Sequence, residues 1–158
     1  DTDYAADGKP MGNLRMSEEV GVPAWKGVLI RMGDKRRRIE SFANRGTYAV
    51  ESEKLDDTMI DLSNYCLLGL LLFREAMNAT VAEVTKKNAQ DDPTYLNLVE
   101  QNFAVQTAYQ RVAQLAIYLT VLFRKGVNDA DVLPWNTSKE WRELIEAYNQ
   151  IAAFARKN

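Results

Sequence analysis

The sequence predicts an all-α protein, a helical bundle of four or more helices that forms a single domain over residues 1–158. Apolar residues recur every three to four positions through several long stretches, which is the spacing of amphipathic helices. No stretch of useful length alternates between apolar and polar residues, so no strand is predicted. With 158 residues the chain can bury roughly two-thirds of the surface that its unfolded form exposes.

Turn residues and an N-cap mark the ends of the first two helices. Residues 1–23 are polar and rich in glycine and proline, which predicts irregular structure, and we expect a further N-terminal piece because residue 1 is not methionine. A first helix is predicted from Trp25 to about Ala43, followed by a linker over 44–51. Ser52 is an acceptable N-cap for the second helix. The centre of that helix is apolar nearly all round and is expected at the middle of the bundle.

The last two helices carry clearer start signals. The second helix is expected to run as far as Asn88, and Asp92-Pro93 then supplies an N-cap followed by proline at the first helical position. The third helix is about 30 residues and roughly 45 Å long, and it ends at Gly126. A capping box over Thr137-Ser-Lys-Glu140 starts a fourth helix.

Composition excludes several classes of site and partner. The net charge of -2 does not draw the whole chain to nucleic acid or to acidic membranes. The chain has no histidine, so histidine catalysis and most zinc sites are excluded, and any metal would have oxygen ligands, which favours Mg²⁺ or Mn²⁺. The single cysteine, Cys66, excludes an internal disulfide and is predicted to be a buried thiol of a cytoplasmic protein. The longest apolar run, Tyr65 to Phe73, is too short to cross a bilayer.

The first part of the second helix carries the candidate functional residues. Asp57, Asp61 and Asn64 are spaced i, i+4 and i+7, so they share one helical face. That face continues into a leucine-rich segment, and carboxylates beside packed hydrocarbon need a cation or a hydrogen-bond donor. Three explanations meet this need, namely a divalent metal, a basic partner and simple exposure at the helix start. The helix dipole also favours acidic residues in the first turn of a helix.

A basic face on the first helix is the second half of the candidate site. Arg31, Asp34 and Arg38 lie opposite the apolar stripe of that helix, with Lys35 beside them. Two interpretations remain open, a phosphate-binding face and a solvated face of ion pairs. Nucleic-acid binding by Arg36 to Arg38 is disfavoured, because no aromatic residues are interleaved with the arginines.

Two sequence elements resemble one family. The first, within Val28–Ile39, contains Arg-Met-Gly-Asp34-Lys35, and the second, within Glu51–Tyr65, contains Asp57-Thr-Met-Ile-Asp61-Leu-Ser-Asn64-Tyr65. Together they resemble the phage and bacterial nucleotide-modification-associated domain, type 1, a relative of the all-α MazG-like nucleotide pyrophosphohydrolases. The resemblance covers residues 1–76, and residues 79–158 are expected to complete the bundle or an oligomer interface.

The resemblance implies a function and a role for each residue. MazG-like enzymes are magnesium-dependent hydrolases that cut a nucleoside triphosphate into monophosphate and pyrophosphate. The implied metal ligands are Asp34, Asp57 and Asp61, of which Asp57 and Asp61 are also catalytic. The implied substrate-binding residues are Lys35, Arg38, Asn64 and Tyr65. The implied partners are a nucleoside triphosphate, such as a deoxynucleotide, and further copies of this chain, in the bacterial host cytoplasm if the protein is phage-encoded.

One departure from the MazG pattern keeps alternatives open. MazG-like enzymes carry a Glu-x-x-Glu pair on the preceding helix, whereas this chain offers Asp34 and Glu40 there. The first alternative is a non-catalytic nucleotide-binding or helix-mediated interaction protein. The second is a phage structural or DNA-associated protein.

Overall fold

The structure is a computed structural model that describes residues 12–45, 52–126 and 138–158, with side chains over 12–42, 55–124 and 138–158. Within those ranges all regular structure is helical, so the prediction of an all-α bundle is confirmed. The elements are a 3₁₀ helix at Gly12–Val20, then α1 at Ala24–Arg45, α2 at Ser52–Lys86, α3 at Pro93–Gly126 and α4 at Lys139–Lys157. Most of the predicted linker, residues 46–51, lies outside the described residues.

The 3₁₀ helix replaces the irregular structure predicted for its part of the N-terminal segment. It forms there because Leu14 is buried in the core and Arg15 donates a hydrogen bond of 2.6 Å to Glu75 of α2. Gly21, with φ of 81°, then turns the chain into α1, a backbone conformation that glycine adopts without steric cost. Tertiary contacts thus impose order on a segment whose composition is that of a loop.

The helix ends follow the predicted caps with two corrections. The Asp92 cap is confirmed, because its Oδ1 accepts from the Thr94 backbone N–H at 2.8 Å, and α3 ends at Gly126 as predicted. Helix α2 ends at Lys86 because Asn88 has a positive φ of 53°. The N-cap of α4 is Ser138, whose Oγ accepts from the Trp141 N–H at 3.2 Å, so the predicted capping box is wrong by one position.

The four helices run alternately up and down around a shared aromatic cluster. Each helix contributes one ring to that cluster, namely Trp25, Phe73, Tyr109 and Phe154. The Phe73 ring centroid lies 5.1 Å from that of Trp25, 5.7 Å from that of Tyr109 and 5.6 Å from that of Phe154. These separations suit edge-on or tilted packing, which is the favoured geometry of aromatic pairs. All four rings are buried in the hydrophobic core.

Helix α2 is less central than its apolar sequence predicts. Leu67 and Leu71 are 45% and 50% exposed, so the expectation that this segment is buried all round is wrong at those two positions. The reason is that α2 packs mainly against α1 on one side and α3 on the other, which leaves an outward face.

Helices α2 and α3 continue beyond the ends of α1 and α4. Trp25 near the start of α1 and Phe154 near the end of α4 both lie level with Phe73 of α2. From there the tips of α2 and α3 and their connection, residues 78–104, extend as a two-helix projection in which no residue is buried. We call residues 78–104 the hairpin arm, and the rest of the four helices the body.

Candidate functional site

An ion pair joins α1 to α2 at the predicted site. The Lys35 Nζ lies 3.1 Å from the Asp61 Oδ2, and the side chain of Lys35 is the more buried of the two. The Tyr65 ring lies beside this pair, with Lys35 Nζ at 5.9 Å and the Arg31 guanidinium carbon at 5.8 Å from its centroid. We call Arg31, Lys35, Asp61 and Tyr65 the α1/α2 site.

Helical geometry explains why these four side chains meet. Arg31 and Lys35 are one turn apart on α1, and Asp61 and Tyr65 are one turn apart on α2, so each pair shares a face. Because α1 and α2 are antiparallel, a single turn of each helix lies opposite the other. Asp61 and Lys35, both predicted from the sequence, are thereby brought together with the predicted Tyr65.

The α1/α2 site holds one more cation than it holds carboxylates. Two cations stand against one carboxylate, and among the described side chains Arg31 forms no ion pair and rests on the Tyr65 ring. A partly exposed ion pair such as Lys35–Asp61 contributes only about 0–1 kcal/mol to folding. The pair therefore opens at little cost when a ligand of higher charge competes for Lys35.

The remaining predicted residues lie around this cluster without joining it. The Asp34 carboxylate is 3.8 Å from the Arg37 guanidinium of the next turn, and both side chains are largely exposed. Arg38 on α1 and Asp57 and Asn64 on α2 are also exposed. They are accessible to a bound molecule, and the structure gives them no common centre.

The structure does not gather the three predicted metal ligands around one point. Among the side chains that the structure describes, no three acidic or thiol groups come together in a way that could hold an ion. Asp61 is engaged by Lys35, and Asp34 pairs along its own helix. The magnesium or manganese site built from Asp34, Asp57 and Asp61 therefore stays a prediction, and we derive no chemical step from a protein-held metal.

Sequence reasoning placed Arg31 on the basic face of α1 without giving it a role in the site, and it did not identify Tyr148. The spacing of Arg31, four residues before Lys35, is a signal that could have identified it. Tyr148 comes from α4 and carries no comparable signal, yet the Arg36 guanidinium carbon lies 5.0 Å from its ring centroid. Burial raises the pKa of Tyr148, an effect that the positive charge of Arg36 partly offsets.

Cys66 is buried as predicted, just below the site on α2. Its Sγ–H donates to the backbone carbonyl of Tyr109 at 2.8 Å. Burial raises the pKa of the thiol to about 12, so it stays protonated and unreactive near neutral pH. Cys66 is a packing residue and belongs to the core.

No family model, curated protein or solved structure matches the chain. One stretch of α2, Leu55–Lys86, is long and apolar enough to cross a membrane by length and composition alone, a test that the core helix of a bundle also passes. The resemblance to the nucleotide-modification-associated domain therefore enters the functional argument as a hypothesis beside the geometry.

Proposed function

We propose that the protein binds a nucleoside triphosphate, including deoxynucleotides, at the α1/α2 site. The observation that carries the proposal is the position of Lys35, whose ammonium group is shared between the Asp61 carboxylate and the Tyr65 ring. A triphosphate presents several negative charges and so competes well with one carboxylate for Lys35 and Arg31. The exposed Arg38 extends the cationic surface along α1.

Binding exchanges one ion pair for another. Lys35 and Arg31 turn toward the phosphates, which frees the Asp61 carboxylate and uncovers the Tyr65 ring face. The ring can then stack on the base, and Asn64 can bond to base or sugar. Asp57 and Asp61, one turn apart, face the magnesium that the nucleotide itself carries.

A second candidate function is hydrolysis of the bound nucleotide, as in a MazG-like pyrophosphohydrolase that shapes the nucleotide pool. Water would attack the α-phosphorus, the bond to the oxygen bridging the α and β phosphates would break, and pyrophosphate would leave. The freed Asp61 is the group placed to take the proton of that water. What supports this candidate is the pair of accessible carboxylates on α2 together with the family resemblance.

Nucleotide titration tests the binding proposal. Calorimetry with each ribo- and deoxynucleoside triphosphate, with and without Mg²⁺, should give saturable binding to the wild-type protein. Lys35→Gln should weaken binding roughly tenfold or more, because it removes a charge-assisted contact to phosphate. Lys26→Gln, at the other end of α1, is the matched control and should bind normally. Absence of binding at millimolar nucleotide, or normal binding by Lys35→Gln, contradicts the proposal.

Asp61→Asn separates binding from hydrolysis. The variant frees Lys35 from its partner, so we expect tighter binding of metal-free nucleotide, together with loss of any pyrophosphate release. Pyrophosphate released by wild type and not by Asp61→Asn identifies the hydrolase. Binding without product in both proteins identifies the non-catalytic nucleotide-binding alternative.

A further inference from the structure

The outward face of α3 carries an uncharged seam. Its exposed positions are spaced alternately by four and three residues over more than four turns, which is the spacing of a coiled-coil contact line. These positions are Phe103, Thr107, Gln110, Gln114, Ile117 and Val121. The three large apolar members, Phe103, Ile117 and Val121, are 67%, 53% and 48% exposed. We call these six residues the α3 seam.

The seam is part of a wider surface that includes one exposed cation of α2, Arg74, whose Nε donates to Gln106 at 2.9 Å. Helix α2 runs antiparallel beside α3, as shown by the bonds from Arg74 to Gln106 and from Arg124 to Asp56, and it adds the exposed Leu67. The seam is about 27 Å long, and the two helices together are roughly 20 Å wide. A face of that size is of the order of the ~800 Å² that each partner contributes to a standard protein interface.

We propose that the α3 seam binds the α3 seam of a second copy of this chain, with the two helices antiparallel. A two-fold axis level with residue 112 then pairs each residue before 112 with the residue of the second copy that lies the same number of positions after 112. Phe103 lies opposite the second copy's Val121, Thr107 opposite its Ile117, and Gln110 opposite its Gln114. Such an interface is isologous, as expected for a two-fold dimer.

Charge complementarity supports this pairing. The same register continues the seam outward to Glu100, which is exposed, and places it at both ends opposite the second copy's Arg124, which is 57% exposed and also lies 3.4 Å from Asp56 of its own chain. Arg111 is the one charged residue of α3 between these two, and it is held at 2.8 Å by Glu143 of α4 within its own chain. Opposite charges therefore meet at the ends, and no unneutralised like charges face each other at the centre.

The polar centre of the seam argues for a second copy over a lipid surface. Gln110 and Gln114 would lose their hydrogen bonds to water in hydrocarbon, which is costly. Against the same residues of a second copy, each amide meets another amide that both donates and accepts. The antiparallel arrangement thus places Gln110 against Gln114 and Phe103 against Val121, and sets Thr107 against the apolar Ile117.

Sedimentation equilibrium over a range of micromolar concentrations tests the proposal. The wild-type chain should reach the mass of a dimer. Gln110→Lys with Gln114→Lys puts positive charges opposite positive charges and should raise the dimer dissociation constant roughly tenfold or more. Gln110→Lys with Gln114→Glu puts opposite charges face to face and should leave a dimer. Both pairs are exposed and leave the core untouched, which helical circular dichroism can check.

Two control experiments distinguish a second copy of the chain from a lipid surface as the binding partner of the seam. Asn149→Lys with Gln150→Lys adds the same charge on the exposed side of α4 and should not change the mass. A monomeric wild type, or a dimer that survives the double lysine substitution, overturns the proposal. Co-flotation of the wild type with neutral phosphatidylcholine vesicles, lost in the double lysine variant, would overturn it in favour of a membrane-facing seam.

Discussion

The body and the hairpin arm are built from the same two helices, yet they are held together differently. In the body, α2 and α3 pack with α1 and α4, and one aromatic ring from each helix enters the buried aromatic cluster. In the arm, residues 78–104, no residue is buried, and Leu98 is only partly buried against the core. Apolar residues such as Leu96 continue with helical spacing into the arm, so an apolar side chain is not buried merely because it is apolar. Burial depends on how many helices lie next to that side chain.

Truncation of a core ring should show this contrast most strongly. Phe73→Ala removes the ring that touches three others and should lower the free energy of unfolding by about 3–5 kcal/mol. Leu96→Ala in the arm, where the side chain is 56% exposed, should lower it by less than about 1 kcal/mol. Urea denaturation followed by circular dichroism measures both. Equal losses would mean that the arm is buried in solution, for example against a partner.

The helix caps offer a second, smaller comparison. Ser138→Ala removes the N-cap bond of α4 in the body and should cost about 1 kcal/mol of global stability. Asp92→Ala removes the equivalent bond of α3 at the tip of the arm. Because the helix end there can unfold locally without unfolding the body, the global free energy of unfolding should change less. Amide hydrogen exchange should show faster exchange confined to the arm in Asp92→Ala. A larger global loss from Asp92→Ala than from Ser138→Ala would reverse the comparison.

The ion pair of the α1/α2 site should matter little for folding. A double-mutant cycle with Lys35→Gln and Asp61→Asn should give a coupling free energy below about 1 kcal/mol, because the Asp61 carboxylate is half-exposed. Thermal denaturation measures the four proteins of the cycle. A coupling of several kcal/mol would identify the pair as structural and would weaken its assignment to ligand binding.

Asp56 lies at the opposite end of the body from the arm, and we expect it to make the stability of the protein depend slightly on pH. Burial raises the pKa of Asp56 above its ordinary value of 3.8, although its bond to Arg124 acts in the other direction. The folded state therefore holds this proton more tightly than the unfolded state. The stability that the proton contributes is present below pH 3.8 and is lost as the pH rises through the folded pKa.

The Asp56→Asn variant measures this effect. It cannot titrate, so its free energy of unfolding should fall less than that of the wild type as the pH rises from the acid side toward neutrality. Glu83→Gln, an exposed change in the arm, should leave the wild-type pH profile in place. A steeper fall in Asp56→Asn than in the wild type would contradict the expected sign.

Much of the fold was predictable because its signals are local. The spacing of apolar residues identified all four α-helices, and Asp92 and Gly126 marked the ends of α3 correctly. The 3₁₀ helix at Gly12–Val20 was missed, because it depends on the burial of Leu14 and on a bond to α2 that lies 60 residues away. Local composition carries no trace of such a contact.

The candidate site was predictable in part for the same reason. Asp61 shares its helical face with Asp57 and Asn64 by spacing alone, which the sequence reveals. The contact of Lys35 with Asp61 depends on how α1 lies against α2. The contact of Arg36 with Tyr148 depends on where α4 lies beside α1. Spacing within one helix says nothing about the angular position of the next helix.

The sequence by itself therefore determined which segments are helical and which residues share a face, because both follow from bonds and contacts within four residues. Only the tertiary structure decided which faces are covered. Leu67 and Leu71 are as apolar as their buried neighbour Leu70, and they stay exposed because none of the described helices packs over them. Burial is a property of the space around a side chain, and that space is filled by residues far away in the sequence.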